Sequence, residues 1–229
     1  MLGNNYNVAY DEDVLNSSIR KVFLWMIVGL SLTIGTMFAV VGNESLASFV
    51  FSSWPILIFA ELGLVIALSA AIRKISSAVA GIMFLLYSVM TGLTLSFTLF
   101  LYDYMAIILA FSTTVIIFVV MALFGYFTKE NLMSFGRMLM VGLISLVVVS
   151  IINIFLKSPT LYWIISYAGV VIFTALIGYD MQKIKLSLIN NSHGDTETLS
   201  KISILGALEL YLDFVNLFLS LLRIFGKKR

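Results

Sequence analysis

Asp180 and Asp213 are carboxylates in runs of sequence otherwise apolar enough to lie in a lipid bilayer. Asp180 ends Ile177-Gly178-Tyr179-Asp180, and Asp213 lies inside Leu210-Tyr211-Leu212-Asp213-Phe214-Val215-Asn216. An ionised carboxylate in hydrocarbon is costly, so such residues face a bundle interior and pair, hold a proton or bind an ion. Two carboxylates drawn together in a dry site do not both ionise easily. They can share one proton that bridges them, and they repel when it leaves. Such a pair can also offer oxygen ligands to calcium, or activate a water for peptide hydrolysis as aspartic proteases do.

Other polar residues fall inside apolar runs. Glu61 sits in Phe59-Ala60-Glu61-Leu62-Gly63, and Arg73-Lys74 closes that run. Those two cations are membrane-surface anchors or partners for an acid. Asn153 and Asn216 have the ordinary reading of interhelical glue, at about 0.6–2 kcal/mol per hydrogen bond. Glu209, Asp213, Asn216 and Ser220 are spaced by four, three and four residues. On a helix they share one face, and a polar stripe in a membrane must face protein or water. The helix that carries it is therefore expected at the centre of the structure.

Composition sets the solvent. Of 229 residues, 61% are hydrophobic and 11% charged, against about 25% charged in a soluble domain. The mean hydropathy is +1.06. A net charge of +2, dispersed along the chain, gives no footprint for nucleic acid. There is no cysteine, hence no disulfide, thiolate metal site or cysteine nucleophile. The single histidine, His193, lies in a polar stretch and reads as a loop residue, since zinc needs three or four ligands. No cofactor is expected.

A bilayer core takes roughly 20 apolar residues as helix. Seven runs qualify, at about 21–42, 49–72, 78–101, 105–127, 137–156, 160–181 and 202–225. The fold class is thus all-α: an integral, multi-pass bundle of seven transmembrane helices with the last one central. The domain division is an N-terminal tail at 1–19, expected to be mobile and cytoplasmic, a transmembrane domain at 20–226 and a basic tail at 227–229. The first residues do not read as a signal peptide, because Asp11, Glu12 and Asp13 stand where a basic start is needed. Most connections are short, which forces consecutive helices to be antiparallel neighbours. The longest is expected from Lys183 to Lys201. A cytoplasmic N-terminus puts Arg20, Lys21, Arg73, Lys74, Lys129, Arg137, Lys183, Lys185 and Lys201 inside, as the positive-inside rule prefers. The basic C-terminus argues the other way.

The run Gly206-Ala207-Leu208-Glu209-Leu210-Tyr211-Leu212-Asp213-Phe214-Val215-Asn216-Leu217-Phe218, followed by Leu221-Leu222-Arg223-Ile224-Phe225-Gly226, closely resembles the C-terminal signature of the Bax inhibitor-1 family. Gly178-Tyr179-Asp180-Met181-Gln182-Lys183-Ile184 resembles its sixth-helix motif, and the stretch from Tyr87 to Ser96 its third helix. The resemblance covers about residues 20–226 and is closest to bacterial members. It implies a calcium leak sensitive to pH, gated by a di-aspartyl pair that maps onto Asp180 and Asp213. It also implies a second-helix arginine that latches onto the pair, for which Arg73 or its neighbour Lys74 stands here. Glu61, Glu209 and Asn216 would line the ion pathway. The implied ligands are calcium as transported ion and protons, the implied location a bacterial inner membrane. The alternatives are an intramembrane aspartyl protease, which lacks here the Gly-x-Gly-Asp run such enzymes carry, and a non-transporting regulator of membrane-protein partners.

Depth constrains the pair. A sixth helix that ended at Asp180 would leave Asp213 too deep to reach. For the two to meet, the sixth helix must continue past Lys185, and the seventh is expected to begin later than Ile202.

Overall fold

The computed structural model describes residues 12–72 and 74–226. Among them are seven long helices: α1 (Glu12–Val41), α2 (Glu44–Ala71), α3 (Ser77–Leu101), α4 (Tyr104–Phe127), α5 (Gly136–Leu156), α6 (Pro159–Asn190) and α7 (Thr196–Phe225). Each is long and apolar enough to cross a membrane, α5 together with the short 3-10 turn Leu132–Phe135 that precedes it. No strand occurs among the described residues. Side-chain caps set several starts. Asn43, Ser76, Asp103, Ser158 and Asp195 each accept a hydrogen bond from a backbone N–H in the first turn that follows. Such a bond satisfies a donor that the helix itself leaves unpaired.

The last helix is central, as the polar stripe requires. α7 packs against α1, α3, α4 and α6, and its apolar window is the most buried of the seven, whereas α2 and α5 are peripheral. Tyr211, fully buried, meets Phe84 and Tyr87 of α3 edge-on. Its hydroxyl lies 2.7 Å from Thr33 Oγ1 of α1. One side chain thereby ties three helices, with its single polar group satisfied in a dry core.

Helix limits depart most from the hydropathy reading in two places. α1 already includes Glu12, inside the stretch read as a tail, and buries Leu15 and Ser18. The expectations for residues 1–11 and for the tail 227–229 lie outside the described residues. The second departure decides the site. α6 continues ten residues beyond Asp180, and α7 starts at Thr196 instead of after Ile202. The expected long loop shrinks to residues 191–195. Hydropathy fades there because lysine and glutamine enter, but the helical period does not: Ile177, Met181, Ile184 and Leu188 form a buried spine. At 1.5 Å per residue α6 is about 48 Å long, well beyond the ~30 Å of a hydrocarbon core. The α6–α7 hairpin therefore carries its polar turns past the apolar layer.

Candidate functional site

Asp180 and Asp213 are brought together. Both are buried, at 9% and 5% exposure, and their carboxyls are within hydrogen-bonding reach of one another. The hairpin register explains how. A Cβ on Gly206 would lie 2.8 Å from Ile184, and one on Gly169 would lie 2.5 Å from Ser220. Extending that antiparallel register places Asp180 opposite residue 210, so Asp213 is about three residues, roughly 4.5 Å, displaced along the axis. Cβ bonds tilt toward their own helix N-terminus. In antiparallel helices those tilts are opposed, and here they converge on the gap between the two aspartates.

Backbone proximity holds the aspartate-bearing turn in place. A Cβ at Gly125 of α4 would collide with the carbonyl of Gly178, so α4 and α6 touch main chain to main chain two residues before Asp180. Small residues permit such close approach in membrane bundles. Beyond the pair, Gln182 accepts from the Leu132 N–H and donates to the Glu130 carbonyl, both at 2.8 Å. Lys185 donates to the Tyr126 carbonyl at 2.8 Å, with its ammonium 4.7 Å from the Tyr126 ring centre. The turn of α6 that carries Asp180 is thus fastened to α4 and to the α4–α5 connection.

Lys183 is the cation at the pair. Its Nζ donates to Glu209 Oε1 at 2.6 Å and lies 3.4 Å from Asp180 Oδ1. Two carboxyls, Asp180 and Glu209, therefore share one ammonium, with Asp213 next to Asp180. Asp213 Oδ2 is buried without a hydrogen-bond donor. A lone buried carboxylate oxygen is expensive unless it is protonated or paired.

The expected latch partners stand differently. Lys74 is exposed, and the ion pairs among the described residues do not include it. Arg73 lies outside the described residues. Among the described residues, Lys183 is the cation that contacts the aspartate pair. The i,i+3 spacing from Asp180 puts both side chains on one face of α6, because the helix continues past Asp180.

The proposed pathway residues separate. Glu209 belongs to the cluster. Glu61 of α2 reaches across to α3, accepting from Thr91 Oγ1 at 2.6 Å and Thr94 Oγ1 at 2.9 Å, with Tyr87 as a further partner. Asn216 donates to the Leu212 carbonyl on its own helix and borders a trough between α5, α6 and α7. Neither joins the aspartates.

Calcium takes six to eight oxygen ligands. Among the described residues no three His, Cys, Asp or Glu side chains are grouped to hold a metal ion. The expectation that Asp180 and Asp213 ligate calcium therefore meets no preformed cage, because the neighbouring acid, Glu209, is engaged by Lys183.

These features define a multi-pass membrane protein, a seven-helix bundle whose central last helix carries one half of a buried carboxyl pair. The family model described as inhibitor of apoptosis-promoting Bax1 matches residues 15–229. The chain belongs to the Bax inhibitor-1 family. It is 44% identical over 218 residues to the inner membrane protein YbhL of Escherichia coli K12, covering 94% of this chain and 93% of that one. A protein of Borreliella burgdorferi is 38% identical over 219 residues, 94% of each chain. A membrane protein of Streptococcus pyogenes serotype M1 is 35% identical over 233 residues, 98% of this chain and 99% of its own.

Proposed function

We propose that this protein is a proton-gated cation leak of a bacterial inner membrane, with calcium as the cargo and a cytoplasmic N-terminus. The observation that carries the reading is the buried Asp180–Asp213 contact beside one shared ammonium. With a proton between them, the aspartates bridge α6 and α7, and the cluster is close to neutral. Loss of that proton leaves adjacent like charges in a dry site. Two responses relieve them: the helices part, or a cation enters. Lys183 is a tethered competitor for that place, so an entering divalent ion must displace it toward Glu209 and the hairpin surface. Flux should then rise with pH through the titration of the pair. The E. coli relative's inner-membrane name and the lysine and arginine distribution support the location.

No observation favours the protease reading. Both aspartates lie within uninterrupted helices, which offer no open backbone edge for a substrate chain.

The test is calcium flux into dye-loaded liposomes against pH. Wild type should leak more at higher pH, and Asp180→Asn together with Asp213→Asn should flatten the profile. Absence of flux at every pH, or an unaltered profile in the double variant, overturns the proposal.

A further inference from the structure

At the end of the bundle away from the aspartates, α5, α6 and α7 border an open hollow of about 440 Å³. Asn153, Lys157, Ser158, Tyr162, Trp163 and Arg223 border it. A second hollow of about 210 Å³ continues along the side of the bundle, bordered by Leu146, Ile154, Phe173 and Leu219. Arg223 borders both, so the two adjoin; the first, the head, carries the two cations, and the second, the trough, is mainly apolar with Ser150, Asn216 and Ser220 along one side. Its α5 wall faces the bilayer: Val147, Ile151 and Ile154 are 50%, 51% and 68% exposed.

Charge at the head has one sign. Arg223 and Lys157 are cationic, and no acidic side chain among the described residues borders either hollow. Neither cation takes part in the ion pairs found among the described residues. Lys157 adopts a left-handed backbone, φ 48°, and ends α5 just before Pro159 opens α6. That tight reversal sets its side chain at the mouth beside the first turn of α6, whose N-terminal end is itself positive. Trp163, 44% exposed, stands on the rim, the interfacial position that tryptophan favours.

We propose that this feature is a binding site for one anionic phospholipid, its phosphate held by Arg223 and Lys157 and an acyl chain lying in the trough. An arginine guanidinium matches phosphate oxygens in a two-point contact. Most of the trough wall is aliphatic or aromatic, and its α5 side opens sideways to lipid. A phospholipid is the membrane component that satisfies both parts at once.

The experiment uses purified full-length protein in detergent and native mass spectrometry. Phosphatidylglycerol and phosphatidylcholine with identical chains compete for retention. Wild type should retain one phosphatidylglycerol in preference to phosphatidylcholine. Arg223→Gln should lower that preference about fivefold, as one basic residue beside anionic lipid contributes. Lys157→Asn should act similarly; this exposed position tolerates asparagine because asparagine accepts the left-handed conformation, so the test survives if the arginine variant fails to fold. Equal retention of the two lipids, or an unchanged preference in Lys157→Asn, overturns the proposal. So does displacement of the lipid by millimolar inorganic phosphate, which would mark a free-anion site.

Discussion

Lys183 on α6 and Glu209 on α7 meet at 2.6 Å, one turn from the aspartates, so an ion pair joins the same two helices that carry Asp180 and Asp213. The lysine side chain is 40% exposed. The pair is accordingly worth less to stability than a dry one, about 1 kcal/mol. Its larger effect is on the charge of the cluster. Lys183→Met should move the half-point of calcium flux to higher pH by about one unit, the usual effect of losing an adjacent opposite charge. Lys183→Arg should leave it close to the wild-type position. Flux profiles measured side by side decide this, and coincident curves for methionine and wild type would remove Lys183 from the gate.

Gly206 predicts how tightly the hairpin must close. Its missing Cβ would stand 2.8 Å from Ile184 Cγ1 and 2.9 Å from Cδ1, atoms of a side chain that can yield. Alanine also gains about 1 kcal/mol of helix propensity over glycine. Gly206→Ala should therefore be near neutral, whereas Gly206→Leu should lose about 1–3 kcal/mol by overpacking. The same wedge spreads α6 from α7 two turns from Asp213. Thermal unfolding in detergent reads the first effect. A flux less dependent on pH reads the second, and a leucine variant with wild-type stability would show that the register is wrong.

Much of this arrangement was legible in the sequence, and the reason is energetic. Asp180 and Asp213 announced a site because carboxylates in hydrocarbon demand a partner. The stripe from Glu209 to Ser220 announced a central α7 because no lipid-facing position tolerates it. What hydropathy could not show was the length of α6. It measures how well residues suit lipid, whereas Gln182, Lys183 and Lys185 are helical for another reason. They lie on the faces of a helix whose spine, Met181-Ile184-Leu188, is buried by its own hairpin partner. Hydropathy alone therefore places Lys183 in a connection, whereas it lies inside α6 beside Asp180. The partners of Glu61 are a further feature the sequence does not show: three hydroxyl-bearing side chains of α3 surround it, a pairing set by tertiary packing that spacing along α2 does not encode.

Gln182 is fully used by the α4–α5 connection, which makes its replacement informative. Gln182→Leu keeps the bulk and strands both the Leu132 N–H and the Glu130 carbonyl. Leaving such partly buried groups unpaired should cost about 2 kcal/mol. The loss should be local, so amide exchange at Leu132 should accelerate while amides in the middle of α7 keep their protection. Uniform acceleration through the bundle would show that this link supports the whole fold and not the connection alone.

Thr33 and Tyr211 offer a measure of polar bonding in the core. Their oxygens are 2.7 Å apart, and Thr33 also donates toward the Gly29 and Ser88 carbonyls. The threonine hydroxyl has one proton, so in the arrangement seen here the tyrosine is the donor between them whenever Thr33 donates to a carbonyl. A double-mutant cycle of Thr33→Val and Tyr211→Phe should give a coupling of about 0.6–1.7 kcal/mol, the range for membrane interhelical hydrogen bonds. A coupling near zero would mean that each hydroxyl finds another partner when the other is removed.

Asp195 gives a pH dependence away from the aspartate pair. It caps α7, accepting from the Thr198 N–H at 2.9 Å. Hydrogen bonds from the Thr198 hydroxyl and backbone N–H hold its carboxyl below the ordinary aspartate value of 3.8. The sign follows from linkage. A carboxyl whose folded value is depressed contributes its full stabilisation above the unfolded value, and loses it as pH falls through the folded one. The hairpin end of α7 should therefore fray only below the ordinary aspartate range. Asparagine caps a helix about as well as aspartate and does not titrate there, so Asp195→Asn serves as the reference. Amide exchange at Thr198 and Leu199 should match in the two proteins near neutral pH. In acid the wild type should exchange faster than the variant, because only its cap has been protonated. An equal ratio of exchange rates at both pH values would show that Asp195 does not hold the start of α7 through its charge, and that the short 191–195 connection alone fixes where the helix begins.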